Sequence, residues 1–273
     1  MKKYIPFFKA GMMEEMSYKA AIFSWLGISV LQLACIVFLW ISVFANSTSD
    51  VINGFTFPQM IVYFVMANIF AFTSLETSTL QTIDDEIKDG TIAISFIKPI
   101  SYRLRFLATA FGGCLLRWII LGVPCMIVAF VVFINMGYMT IESPGRFIIS
   151  IILFILCGIF AMLISDTINY ICGICCFYTT AAWGLNQTKN VVVNFFSGVF
   201  IPLSFFPGVF GDVASLLPFA GLTQNPVLIL MQTATINEAV MYVVKNIIWF
   251  IIFEIIAKLL FIHASKKVTV QGG

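Results

Sequence analysis

Charge is what this chain has least of. Only 10% of its 273 residues are Asp, Glu, Lys or Arg, against 60% hydrophobic residues that include 29 phenylalanines. A soluble fold needs roughly a quarter of its residues charged to cover its surface, so a soluble domain is excluded. The single histidine, His263, is far along the chain from the Cys172-Gly-Ile-Cys175-Cys176 run, so a fourth ligand for a structural zinc site is not at hand there. No GxxxxGK[ST] occurs, so the chain has no P-loop of its own for ATP. HExxH and GxSxG are missing as well, and no catalytic constellation replaces them. Basic residues are scattered along the chain, so the net charge of +2 builds no nucleic-acid surface. The seven cysteines (Cys35, Cys114, Cys125, Cys157, Cys172, Cys175 and Cys176) all fall in apolar runs, where free thiols serve as small packing residues. The Cys172-Gly-Ile-Cys175-Cys176 run is read the same way, with no metal assigned. A cleavable signal peptide is not expected either, because the first apolar run begins near Ala20 and is too long for a signal core.

What is present is a series of apolar runs about twenty residues long, the length a helix needs to cross a bilayer. They predict an all-α integral membrane protein forming one transmembrane unit over residues 1–273, with six spans. Span 1 covers Ala20 to Phe44, span 2 Pro58 to Leu75, and span 3 Phe106 to Ile134. Span 4 starts near Phe147 and stays apolar past Asp166 to Trp183, as one long helix or as two spans broken at Asp166. Span 5 is expected from Val191 to Phe206 and span 6 from Ala239 to Ala264. Pro207 to Pro226 is expected to dip into the membrane and return, since its prolines fit a shielded irregular segment better than a crossing. Residues 2–19 are expected to form a helix on the membrane surface, with Ile5, Phe8, Met12 and Met16 on one face.

Lys and Arg accumulate on the cytoplasmic side of membrane proteins. Six spans put Lys2, Lys3, Lys9, Lys19, Lys88, Lys98, Arg103, Arg105, Lys189, Lys266 and Lys267 on one side, against Arg146 and Lys245 on the other. Both termini are therefore expected in the cytoplasm of a multi-pass cell-membrane protein.

The longest polar interruption runs from Glu76 to Arg105. Nine charges sit in it: Glu76, Asp84, Asp85, Glu86, Lys88, Asp89, Lys98, Arg103 and Arg105. Thr82 to Asp89 can form a short amphipathic helix, Asp89-Gly90 stops it, and Lys98-Pro99 redirects the chain. Connections in membrane bundles are usually short, so a long one carrying both signs of charge reads as a place where a soluble partner grips.

Ionisable residues inside spans are costly and mark partners or pathways. Four stand out: Arg117, Asp166, Glu254 and Lys258. Arg117 and Glu254 each lie about ten residues from the cytoplasmic end of a span, a matched depth of roughly 15 Å that predicts a pair. Lys258, one turn below Glu254, can join them or reach for the surface. Asp166 is expected near the cytoplasmic boundary.

The stretch DDEIKDGTIAISFIKPIS (Asp84 to Ser101) resembles the cytoplasmic loop of type-2 ABC exporter permeases. The run FFSGVFIPLSFFPGVFGDVASLLPFAGLTQNP (Phe195 to Pro226) resembles the segment between that family's last two spans. With the order of spans, the likeness covers essentially the whole chain. The resemblance implies that two permeases, identical or homologous, pair in the membrane and that two ABC ATPase subunits, carrying ATP and Mg, dock on the cytoplasmic face. It implies a coupling helix at residues 76–105, with Asp85, Glu86, Lys88, Asp89, Gly90 and Thr91 at the ATPase interface and Pro99 shaping its exit. Residues 1–19 become the connecting helix. Gly198, Pro202, Pro207, Pro218, Phe219 and Pro226 belong to an outward re-entrant region spanning residues 207–226 and its approach.

These readings converge on the permease subunit of an ATP-driven exporter for an amphipathic or hydrophobic cargo such as a drug, an antimicrobial peptide or a lipid. It would bind membrane lipid and no nucleic acid, most naturally in a bacterial plasma membrane. An ATP-independent channel or ion-coupled carrier is the alternative, with Arg117, Asp166, Glu254 and Lys258 lining its path. Such a carrier often shows internal repeats, and none is visible between the two halves.

Overall fold

A computed structural model describes residues 2–17, 19–141, 143–179 and 181–267. Residues 268–273, read above as part of the cytoplasmic tail, lie outside them, as do the side chains of Lys19 and Lys267, which were counted in the charge balance. The fold is a helical bundle. Its helices are α1 (Ile5–Ser17), α2 (Lys19–Ala45), α3 (Phe57–Ser74), α4 (Thr79–Lys88), α5 (Ile92–Ile97), α6 (Tyr102–Arg117), α7 (Val123–Asn135), α8 (Pro144–Cys175), α9 (Ala182–Phe196), α10 (Gly208–Leu216), α11 (Gln224–Leu230) and α12 (Ile236–Ala264).

Local chemistry sets the helix starts. Asn53 and Gly54, at φ 47° and 85°, turn a two-residue hairpin of β1 (Val51–Ile52) and β2 (Phe55–Thr56), as Asn-Gly favours. Thr56 and Gln59 then form a capping box that opens α3, and Thr235 with Glu238 does the same for α12. Ser101 and Ser143 cap α6 and α8 by accepting from the backbone N–H groups of Leu104 and Arg146. Pro124 has no N–H to offer the carbonyl one turn back, and the helix widens before it: residues Trp118–Gly122 form a π turn in which Val123 N–H reaches the Trp118 carbonyl.

Among the described residues, five stretches are long and apolar enough to cross a membrane: Gly27–Ala45, Phe57–Lys88, Tyr102–Asn135, Pro144–Cys175 and Ile236–Ala264. The first four expected spans and the last fall on them. Span 4 is one helix, running unbroken through Asp166 to Cys175. The fifth expected span needs correction. Its helix starts at Ala182 and ends at Phe196, ten residues before Phe206, because Gly198 (φ 84°) turns the chain. Lys189 of α9 meets Asn169 of α8, while Gly198 beyond its far end accepts from Tyr63 near the start of α3.

Short elements follow. Pro202 and Pro218 are buried, Pro207 is exposed, and Gln224 folds back so that its N–H bonds the Ser197 carbonyl and its side chain caps Leu203 N–H. Trp249 donates to the Leu216 carbonyl, and Asn246 donates to the carbonyls of Gly221 and Cys157. At the end of this segment the carbonyls of Gln232 and Ala234 accept from Arg146. The core beneath is built around α3, whose Tyr63, Phe64, Met66 and Phe70 are fully buried.

Helix α1 lies where residues 2–19 were expected to be helical. Of the stripe expected on the membrane surface, Phe8 packs on Phe111 of α6, and the contact with α6 and its approach runs through Tyr4, Phe8, Gly11 and Glu15. Gly11 decides this. A Cβ there would overlap the Thr109 carbonyl, and one on Gly112 would overlap the Phe8 carbonyl, so the two backbones touch. Ile5, Met13 and Met16 are left exposed.

Candidate functional site

The charged connection folds into two short helices. Leu80 and Ile83 bury one face of α4 against α8, and Gly90, at φ 71°, closes it at the expected stop. Lys98 is extended before Pro99, as the proline requires. Lys3 Nζ donates to the Pro99 carbonyl at 3.0 Å, and Tyr4 Oη accepts from Ser101 N–H, so the N-terminus braces the exit of the connection.

Of the residues expected to face a partner, Asp85, Lys88, Asp89, Gly90, Thr91 and Pro99 are exposed. Ile94 and Ile97 of α5 stand beside them, 59% and 83% exposed. Nothing in the pattern of charges drew attention to these two. Lys88 donates to Asp84 at 2.6 Å, which holds its ammonium above the usual lysine range.

Glu86 is different. It turns inward, where Arg105 holds it at 2.8 Å and Tyr102 Oη donates to it at 3.0 Å. The guanidinium of Arg105 also lies over the Tyr102 and Phe106 rings. Glu86 is an internal brace of the connection, not part of its outer face.

The main polar node was not anticipated. Arg103, counted in the sequence as one more charge of the connection, is the second residue of α6 and only 13% exposed. It donates to Asp166 Oδ2 of α8 at 2.6 Å, to Thr167 Oγ1 at 2.7 Å, and to Glu254 Oε1 of α12 at 2.6 Å. Its guanidinium also stacks over Tyr170, 4.7 Å from the ring centroid. The other oxygen of Asp166 accepts from Thr79, the first residue of α4. One guanidinium thus links α4, through a fully buried carboxylate, to α6, α8 and α12. An arginine suits this position because its planar fork serves several acceptors at once.

The expected pair of Arg117 with Glu254 is not formed. Arg117 bonds Glu15 of α1 and the carbonyls of Phe72 and Glu76, while Glu254 belongs to Arg103. Depth was inferred from span ends, and the ends are not level: α12 runs about ten residues past Glu254, whereas α6 begins beside it. Arg103 and Arg117, near the two ends of α6, serve the same corner. Arg117 touches Phe72 and Glu76 directly, and Arg103 reaches Thr79 through Asp166. The next helical turn adds bonds from Trp118 Nε1 to Ser74 Oγ and from Ser165 Oγ to the Leu75 carbonyl. Lys258 is exposed and joins no ion pair among the described residues.

A cavity of about 470 Å³ opens beside the node, lined by Arg103, Tyr170, Glu254, Lys258 and apolar residues of α12. A second, apolar cavity of about 240 Å³ lies between α6 and α8 around Trp118, Phe154 and Met162. Among the described residues, no group of three or more His, Cys, Asp or Glu side chains is placed to hold a metal.

The comparisons with curated proteins and with solved structures gave no match. A family model does match, over residues 30–272, which takes in α3 to α12, the charged connection and the segment after α9. This multi-pass membrane protein, with a connection wired into three of its long helices, belongs to the ABC-2 family transporter proteins, membrane transport components that work with an ABC ATPase subunit.

Proposed function

We propose that the chain is the permease subunit of an ATP-driven exporter and that α4, α5 and the turn between them form the docking site for its ATPase. The observation that carries this is the two-sidedness of the connection. Its outer face presents Asp85, Lys88, Asp89, Gly90, Thr91 and Pro99, with Ile94 and Ile97 as apolar anchors of the kind that dominate interfaces. Its inner face is joined through Thr79, Asp166 and Arg103 to α6, α8 and α12. A push on the outer face therefore reaches three spans without passing through a flexible segment.

In this reading the chain crosses six times, with α9 and the residues after it completing the fifth crossing. The contacts of α9 support it, since its first turn packs with Leu80 and Cys176 and the turn just beyond its last residue lies by Tyr63. Both termini are then cytoplasmic. The segment from Pro207 to Pro226 enters and returns from the outer side, consistent with Leu216 beside Trp249 and Gln232 beside Arg146. A second permease, two ATPases with ATP and Mg, and an amphipathic cargo complete the assembly, in a bacterial plasma membrane. Helix α1 lies along the inner surface as a connecting helix, with Ile5, Met13 and Met16 toward lipid.

The test is copurification from native membranes in mild detergent, with the wild type beside Asp89→Arg and Ile97→Glu. Both side chains are exposed, so both variants should remain folded and monodisperse. An ATPase bound by the wild type and lost from the variants is the expected result. An ATPase retained by both variants would remove the docking site from this surface, and a stable wild type without any ATPase would remove the exporter reading.

A further inference from the structure

The cavity beside the Arg103 node has charge left over. Glu254 receives Arg103 and Thr167 on Oε1, while Oε2 takes no hydrogen bond from the described residues. Arg103 with Asp166 and Glu254 makes one positive charge against two negative ones. Lys258 lies one turn further along α12, exposed, lining the same cavity and paired with none of them. The Cβ atoms of residues at this spacing sit about 5–6 Å apart on one helix face, so the cavity offers one carboxylate oxygen and one ammonium on the same face of α12, not joined to each other in an ion pair. Phe250, Ile251 and Ile255 make the adjoining wall apolar, and Ile251 and Ile255 are 52% and 55% exposed, so this wall opens sideways from the bundle.

We propose that this cavity binds a zwitterionic phospholipid from the leaflet on the charged side of the protein. Its ammonium meets Glu254 Oε2, its phosphate meets Lys258, and its first methylenes lie over Phe250, Ile251 and Ile255. A purely anionic head group would face Glu254, and a purely cationic one would face Lys258. A head group with both charges two carbons apart gives each of the two side chains a partner of opposite sign and leaves the net charge of the cavity unchanged. The volume of about 470 Å³ suits a head group and the start of a chain. The lateral opening favours a lipid over a soluble zwitterion, whose walls would close around it. The site stands whether or not the protein exports a cargo, and it places lipid against the residue that ties α12 to the charged connection.

The experiment is native mass spectrometry of the purified chain in dodecyl maltoside with phosphatidylethanolamine, phosphatidylglycerol and a cationic dialkyl ammonium lipid in equal amounts. Glycerophosphoethanolamine, the same head group without chains, is a separate arm. One phosphatidylethanolamine per chain should be retained in preference to the others. Lys258→Glu should weaken that retention about fivefold, the worth of one partly exposed charge contact, and move preference toward the cationic lipid. Ile255→Trp should block the apolar wall and abolish it. Both altered side chains are exposed, and an unchanged unfolding temperature verifies the fold. Equal retention of the phosphatidylglycerol, no retained lipid, or retention indifferent to both variants would overturn the proposal, the last by marking the lipid as annular. Retention of glycerophosphoethanolamine at the same strength would overturn it in favour of a soluble zwitterion.

Discussion

Arg103 and Glu254 are 151 residues apart in the chain and 2.6 Å apart in the fold. Their contact closes the charged side of the bundle, because Arg103 also holds Asp166 and Glu254 also holds Thr167. Removing the arginine leaves one fully buried and one partly buried carboxylate without their cation. Arg103→Ala should therefore cost about 3–5 kcal/mol of stability, read as a lowered unfolding temperature in detergent. Arg103→Lys should recover little of it, since one ammonium cannot serve Asp166, Thr167 and Glu254 together.

Arg117 makes the opposite prediction about the pair first expected from depth. It shares no partner with Glu254, so Arg117→Ala and Glu254→Ala should add to within about 0.5 kcal/mol in a double-mutant cycle. Arg117→Ala and Glu15→Ala should not, because those two side chains bond each other. A coupling between Arg117 and Glu254 as large as that with Glu15 would contradict the arrangement.

Neighbouring carboxylates of α4 should separate by readout. Asp85 is exposed, so Asp85→Arg should leave the unfolding temperature within the small range of surface changes, about ±0.5 kcal/mol, and weaken ATPase copurification. Glu86 braces Arg105 and Tyr102, so Glu86→Ala should destabilise by about 1–3 kcal/mol through the unpaired guanidinium and hydroxyl. Equal effects of the two on stability would refute the division of the helix into an outer and an inner face.

The backbone contact of α1 with α6 gives a steric test. Gly11→Ala and Gly112→Ala each place a methyl group against a carbonyl oxygen, which cannot yield as a side chain would. Each should cost about 1–3 kcal/mol by overpacking. Each should also expose α1 to limited proteolysis, whereas Gly27→Ala, with open space around its Cβ position, should do neither.

The bundle was legible where physics is local. Apolar length marked five helices, Asp89-Gly90 and Lys98-Pro99 marked the stops in the connection, and the run of charge marked the polar surface. What stayed hidden depends on how far each helix overshoots its neighbours. Arg103 stands at the entry of α6 and reads as a loop charge, yet α12 extends about ten residues beyond Glu254 and so brings a carboxylate level with it. Gly198 ended α9 early for a reason no hydropathy window contains, a left-handed turn that aims a carbonyl at Tyr63. Glu86 was grouped with Asp85 because the two are adjacent, although adjacent positions on a helix point about 100° apart.

The unbroken course of α8 has a mechanical side. Its 32 residues make a rod of about 48 Å, held near Cys157 by the bond from Asn246. About 27 Å of the rod lies between that point and Cys175, and about 20 Å between it and Pro144. On the longer arm the rod is fastened again, by Ser165 to the Leu75 carbonyl, by Asp166 to Arg103 and by Asn169 to Lys189. It is clamped at two levels and cannot swing about either one alone, so its charged end carries α6 and α9 with it as one stiff body.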